Sequence, residues 1–176
     1  MKKIIFLAVL VFSLQATFAQ AVTTAETGLS NLKAASADMA RLFLAKNYAD
    51  YIKYVHPKIV AMMGGKQKMV TVLKKTMTDM EENGVAFIDM RCGEPTAIVA
   101  TKTSLQSVVP QHIQLKVEGG KLLTTGYLIA MSSNNGKTWH FIDTSTKSVD
   151  ELKETFPDLS SQIMIPAREQ PAFIKD

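Results

Sequence analysis

The stretch HIQLKVEGGKLLTTGYLIAMSSNNGKTWHFID, residues 112–143, decides the fold class. Ile113, Leu115 and Val117 alternate with His112, Gln114 and Lys116, the period of a strand buried on one side only. Gly119-Gly120 and Asn135-Gly136 read as two-residue hairpin turns, because their central positions need positive φ. Those turns predict a register. Val117 faces Leu122, Leu115 faces Thr124 and Ile113 faces Gly126 in the first hairpin; Ser132 faces Trp139 and Ala130 faces Phe141 in the second. One face then carries Ile113, Leu115, Val117, Leu122, Leu128, Ala130, Trp139 and Phe141, and is expected to lie under helices. The opposite face carries His112, Gln114, Lys116, Thr125, Tyr127, Met131, His140 and Ile142, a mixed surface suited to water or to a partner subunit.

Working outward, the same period predicts strands over residues 85–92, 96–102 and 105–117, the last interrupted at Pro110, and over 122–132 and 137–143. Upstream the period is helical. Leu29, Leu32, Ser36, Met39 and Phe43 recur at steps of three and four, widened by Leu42. Tyr48, Tyr51, Ile52 and Val55 form a second stripe, which ends at His56-Pro57 because proline disfavours helix in the residue before it. After a break at Gly64-Gly65, Val70, Leu73, Met77 and Met80 make a third helix, stopped at Asn83-Gly84. Downstream, Ser148-Val149-Asp150-Glu151 is a capping box for a short helix halted by Pro157. The tail from residue 163, with Pro166 and Pro171, is expected to be irregular. The fold class is therefore α+β: three N-terminal helices packed on a curved antiparallel sheet, with a short extra C-terminal helix.

Lys2 and Lys3, the apolar run Ile4 to Leu14, and small residues at Thr17-Phe18-Ala19 or Ala19-Gln20-Ala21 form an export signal with cleavage after residue 19 or 21. The run is shorter than the roughly 20 residues that span a bilayer. No cysteine follows it to carry a lipid anchor, so residues 20–176 are expected to form one exported domain, in the periplasm or outside the cell, without a membrane anchor. Losing Lys2 and Lys3 halves the formal charge of +4, which argues against a nucleic-acid partner. Lys66, Lys68, Lys74 and Lys75 read as a solvated helix face, and Gly64-Gly65-Lys66 lacks phosphate-loop spacing. Cys92, the one cysteine, is expected to share a buried strand face with Ala86, Ile88 and Met90 as an inert thiol.

Helices followed by a curved antiparallel sheet, the hairpin segment Gly120-Lys121-Leu122-Leu123-Thr124-Thr125-Gly126-Tyr127-Leu128-Ile129-Ala130, and the closing strand Gly136-Lys137-Thr138-Trp139-His140-Phe141-Ile142-Asp143 resemble the nuclear transport factor two-like superfamily, including its polyketide-cyclase-like and ketosteroid-isomerase-like branches. The closing strand looks like those of small exported bacterial members. The resemblance implies an α+β cone with a cavity between helices and sheet, a scaffold shared by enzymes, binding modules and assembly domains. Residues 132–139 also resemble the Asp-box hairpin of sialidase propellers, with Asn134 in the aspartate's place. One copy in a chain of this length reads as a hairpin only.

Three functional readings follow. The first is non-catalytic binding of a small apolar or amphipathic ligand by a cavity lined with Tyr48, Tyr51, Met77, Met80 and Trp139. The second, implied by the cone's enzymes, is an isomerase, dehydratase or cyclase using Asp89 or Asp143 as acid or base beside Tyr48, Tyr51 or Tyr54, although an ion pair with Arg91 accounts for Asp89 and a turn amide for Asp143. The third is a homodimer pairing through His112, Gln114, Tyr127 and His140. No cofactor or metal is indicated. His56, His112 and His140 lack metal-ligand spacing, and the dipole at a helix end accounts for His56. Met62, Met63, Met69, Met77, Met80 and Met90 crowd the middle of the chain as soft Cu(I) donors, but Met77 and Met80 share the stripe of Val70 and Leu73, which makes them core filler first and an adaptable pocket lining second.

Overall fold

The structure, a computed structural model, describes residues 26–145 and 148–176. The signal-peptide reading lies outside those residues. Helix α1 covers residues 26–44 and buries Leu32, Ser36, Met39, Ala40 and Phe43 on one face. It ends at Lys46 with φ +56°, and Asn47 then caps α2 (Tyr48–Tyr51), its side chain accepting from the Asp50 amide. A 3-10 turn, Ile52–Tyr54, follows directly.

The chain next forms α3 (Pro57–Met62), a helix absent from the sequence reading. His56 therefore starts a helix rather than ending one. Proline is pre-organised for the first helical position, and the His56 Nδ1 accepts from the Lys58 amide at 3.2 Å. The end of the dipole there disfavours a cation, so the charge-based account of His56 is corrected. Gly64 and Gly65, at φ +82° and +94°, turn the chain into α4 (Lys66–Glu82), which stops at Asn83 and a left-handed Gly84 as expected.

The strands are β1 (Ala86–Cys92), β2 (Val99–Ala100), β3 (Leu105–Val117), β4 (Gly120–Ser132) and β5 (His140–Asp143), then α5 (Val149–Thr155) and β6 (Ala172–Lys175). The sheet is antiparallel in the order β1-β3-β4-β5, with β2 on β3 and β6 on β4. β6 corrects the wholly irregular tail. The second hairpin pairs Ala130 with Phe141 as expected, but its ladder stops at Met131 and His140, short of the expected pair of Ser132 with Trp139. The first closes one residue early, with Val117 opposite Gly120, Leu115 opposite Leu122 and Ile113 opposite Thr124. Gly119 alone takes positive φ, +73°. Gly120 is needed for a close approach instead, since a Cβ there would lie 2.2 Å from the Ile174 carbonyl oxygen. The register error is two residues, so every side chain keeps its face.

Two expectations about strands fail for local reasons. A bulge between Phe87 and Asp89 places Phe87 rather than Ile88 under the helices, leaving Ile88 44% exposed. Phe87 packs edge-on against Phe43, ring centroids 4.9 Å apart. β3 also runs through Pro110 without a break. The missing N–H falls where β3 changes neighbour from β1 to β2, and the Pro110 carbonyl still accepts from Gly93 at 2.8 Å.

The inner face packs as expected. Val109, Leu128, Ala130, Trp139 and Phe141 meet Leu32 and Met39 of α1, and Met90 and Ile113 meet Phe43, Tyr48, Ile52 and Val70. The outer face is not the open mixed surface anticipated. Val108, Ile129, Met131 and Ile142 are covered by Leu152 and Phe156 of α5 and by Leu159 and Ile163 beyond it. A fully buried amide pins this strap: Gln106 donates to the Asp158 carbonyl at 2.8 Å and accepts from the Ser160 amide at 2.9 Å. The capping box forms, Ser148 Oγ accepting from the Glu151 amide and the Glu151 carboxylate from the Ser148 amide at 2.7 Å.

Candidate ligand cleft

Asn31, Ala34, Ala35 and Asp38 recur at steps of three and four, so they form a second stripe on α1 beside the buried one. Facing them are Lys53 and Tyr54 of the 3-10 turn, Lys137, Thr138 and Trp139 of the loop before β5, and His140 at the start of β5. Together they enclose a cleft of about 510 Å³. Its walls are set by unusually close backbone packing. Gly136 has φ +77°, and a Cβ on it would sit 2.7 Å from the Gly28 Cα. Two hydrogen bonds close over this contact: buried Trp139 Nε1 donates to the Gly28 carbonyl at 3.1 Å, and Asn31 Nδ2 to the Gly136 carbonyl at 2.9 Å. The loop is shaped from within by Asn134, whose Oδ1 accepts from the Thr138 amide at 2.9 Å, and by Ser132, whose Oγ accepts from the Gly136 amide at 2.9 Å. Those side chains bend the chain out of sheet geometry, which is why β5 begins at His140 rather than at Lys137.

The cleft's polar groups are arranged in a definite way. The Tyr54 hydroxyl donates to Asp38 Oδ2 at 2.7 Å and the Arg41 guanidinium donates to Oδ1. These two bonds, Tyr54 first, hold the Asp38 carboxyl below the usual range. Burial, and then the same bond to Asp38, raises the Tyr54 hydroxyl. The pair is thus an ionised acid and a protonated phenol throughout the neutral range, with the carboxylate already engaged. Lys53 pairs with Asp50 at 2.5 Å. Exposed Lys137 also lines the cleft and has no ion pair among the described residues. His140 is half-buried, and burial lowers its pKa.

The sequence-derived candidates are scattered. Tyr48, Met77 and Met80 line a crevice of about 20 Å³ between α4 and β1, room for about one water. Tyr51 packs its ring on Phe43 and lies between two core clusters, where burial, then the charge of Asp143, pushes its hydroxyl up to about 12. Of the five ligand-lining candidates only Trp139 reaches the cleft, as its floor. Asp89 is ion-paired with Arg91 at 2.8 Å, and exposed Asp143 accepts from the Ser145 amide at 2.6 Å. Neither carboxylate meets a tyrosine hydroxyl. Cys92 is half-buried, and burial moves its thiol up to about 11.

Of the four residues placed on a partner-facing surface, His112 is exposed, Gln114 is half-buried, Tyr127 packs under the strap and His140 turns toward the cleft and the His56 ring. Asn31 and Asp38 escaped the sequence reading because a polar stripe beside a buried one reads as solvent-facing, and Lys53 and Lys137 because each lies on a different segment with nothing local to link it to α1. Among the described residues no cluster of three or more His, Cys, Asp or Glu could hold a metal ion, and no helix is long and apolar enough to cross a membrane. No family model matches the chain, and no curated protein or solved structure does either.

Proposed function

We propose that this chain is an exported binding protein of nuclear transport factor two-like architecture that holds a small amphipathic molecule bearing an acidic group, without transforming it. The observation that carries this reading is the cleft between α1 and the loop before β5. Its volume of about 510 Å³ lies within the few hundred to a thousand Å³ usual for small-molecule sites. Ala34, Ala35, Tyr54 and Trp139 supply apolar wall, and Lys137, without an ion pair among the described residues, supplies a point charge for an acidic group. Binding is favoured over turnover by the state of the Asp38–Tyr54 pair. A general acid or base works best with a pKa near the operating pH, and each of these groups is moved away from it.

Trp139 is the only tryptophan and floors the cleft, so it reports occupancy directly. Titration with 8-anilinonaphthalene-1-sulfonate, an amphipathic anion, is expected to show saturable energy transfer from Trp139 at one site per chain. Ala34→Phe, which projects from an exposed position into the cleft, should abolish it, and Lys137→Glu should weaken it about tenfold or more, the loss of one favourable charge contact. Unchanged transfer in Ala34→Phe would show that the dye binds elsewhere and would remove the basis of the reading.

A further inference from the structure

Strand β6 adds nothing to the core. All four of its residues are exposed, Phe173 at 55% and Ile174 at 50%. What holds it is backbone pairing with the edge of β4, Gly120 to Lys175, Lys121 to Ile174, Leu122 to Phe173 and Leu123 to Ala172, plus the Asp176 amide donating to the Gly119 carbonyl at 3.2 Å. β4 is shaped to receive this strand. Gly120 is not at positive φ, yet a Cβ on it would meet the Ile174 carbonyl oxygen at 2.2 Å and Phe173 Cζ at 2.9 Å. The missing side chain is a notch for an extended segment with an aromatic at that register. The same pairing makes a continuous cross-strand row, Phe87, Leu115, Leu122 and Phe173, running from the core to the surface.

The connection to β6 is loose. Residues 166–171 are exposed, and Pro166 and Pro171 bracket them. Arg168 is anchored by donation to the Thr144 carbonyl at 2.6 Å, but exposed Glu169 and Gln170, with Ala172 at the start of β6, line a groove of about 260 Å³ against His112, Gln114 and Thr125. Proline at both ends favours an extended connection over a tight return. Fully extended, residues 164–171 span roughly 26–29 Å.

We propose that β6 is an exchangeable strand: in a dimer of this chain, residues 172–175 of each copy lie on β4 of the other in the register seen here. The occupant is a second copy because the notch at Gly120 is matched to Phe173-Ile174, the sequence this chain itself carries in β6. Closed monomer and exchanged dimer make the same backbone bonds and the same notch contact, so connection strain and concentration decide between them. This inference is independent of the ligand cleft.

The test uses a Cys92→Ser background and two variants, Lys121→Cys and Ile174→Cys, whose positions are directly paired and so lie within disulfide reach. The two single variants are mixed at high concentration, incubated, oxidised and run on a non-reducing gel. A covalent dimer whose yield rises with concentration is expected, and adding Gly120→Val to the Lys121→Cys chain should cut it about tenfold or more, with Trp139 emission confirming that this variant is folded. The double variant Lys121→Cys/Ile174→Cys at low concentration should instead close within one chain. The proposal is overturned if the double variant closes internally while the mixture never links, or if no variant links at all. A mixed dimer that survives Gly120→Val overturns it too, because the link would then come from collision rather than the notch.

Discussion

Replacing Gly136 by alanine probes the contact on which the cleft depends. The substitution meets two obstacles. The backbone has φ +77°, and placing a residue with a Cβ in that region costs about 1–2 kcal/mol. The new methyl would also sit 2.7 Å from the Gly28 Cα, which is backbone and cannot swing aside, and such overpacking adds about 1–3 kcal/mol. The sum is about 2–5 kcal/mol. Gly84→Ala separates the two terms, because Gly84 has the same φ of +77° with nothing within 4 Å of its would-be Cβ. It should lose only about 1–2 kcal/mol. In urea, where a small domain loses about 1–3 kcal/mol of stability per molar, the two midpoints should differ by about 1 M. Trp139, 2% exposed and hydrogen-bonded to Gly28, should shift its emission to the red in folded Gly136→Ala and not in folded Gly84→Ala. Equal midpoints with unshifted emission would refute the idea that backbone contact between α1 and the loop sets the cleft wall.

Gln106→Ala should destabilise by about 2–4 kcal/mol, because it leaves the Asp158 carbonyl and Ser160 amide without their partner; the Ser160 amide should lose hydrogen-exchange protection first, and a loss under about 0.5 kcal/mol would show that the strap is held by its apolar contacts alone. Acidification should also destabilise the fold. Burial, His140 and Lys58 lower the His56 pKa, so the unfolded chain binds the extra proton first, and stability present above about pH 6.5 declines as pH falls through the window between that value and the folded pKa. His56→Asn keeps a capping side chain and should flatten the fall in melting temperature between pH 7 and 5, whereas a profile unchanged by that substitution would assign the effect to His140 or the carboxylates. Tyr54→Phe should raise the Asp38 pKa, followed by carboxyl carbon shifts in an NMR titration, and an unmoved titration would mean that Arg41 alone sets it.

The parts of the fold legible in the chain are those encoded within a few residues. Period-two alternation over residues 112–117 and helical spacing from Leu32 to Phe43 each mark a buried face. Asn135-Gly136 supplies two positive-φ positions in sequence, and Ser148 with Glu151 closes a capping box. Even the misplaced first turn kept the faces right, because an error of two residues preserves the pleat. The failures share one cause. Whether Ile88 bulges, whether Gly120 turns or yields space, whether Pro57 ends one helix or begins the next, and what covers Met131 and Ile142 depend on other segments of the chain or on geometry a local pattern does not contain. The cleft is the extreme case: Asn31 and Asp38, Tyr54, and Lys137 to His140 come from three separate segments, and each is unremarkable where it stands. Local stereochemistry, written residue by residue, determined the elements and their apolar faces; only tertiary packing, which decides which backbones approach closely enough to exclude a side chain and which polar groups face one another, determined the site.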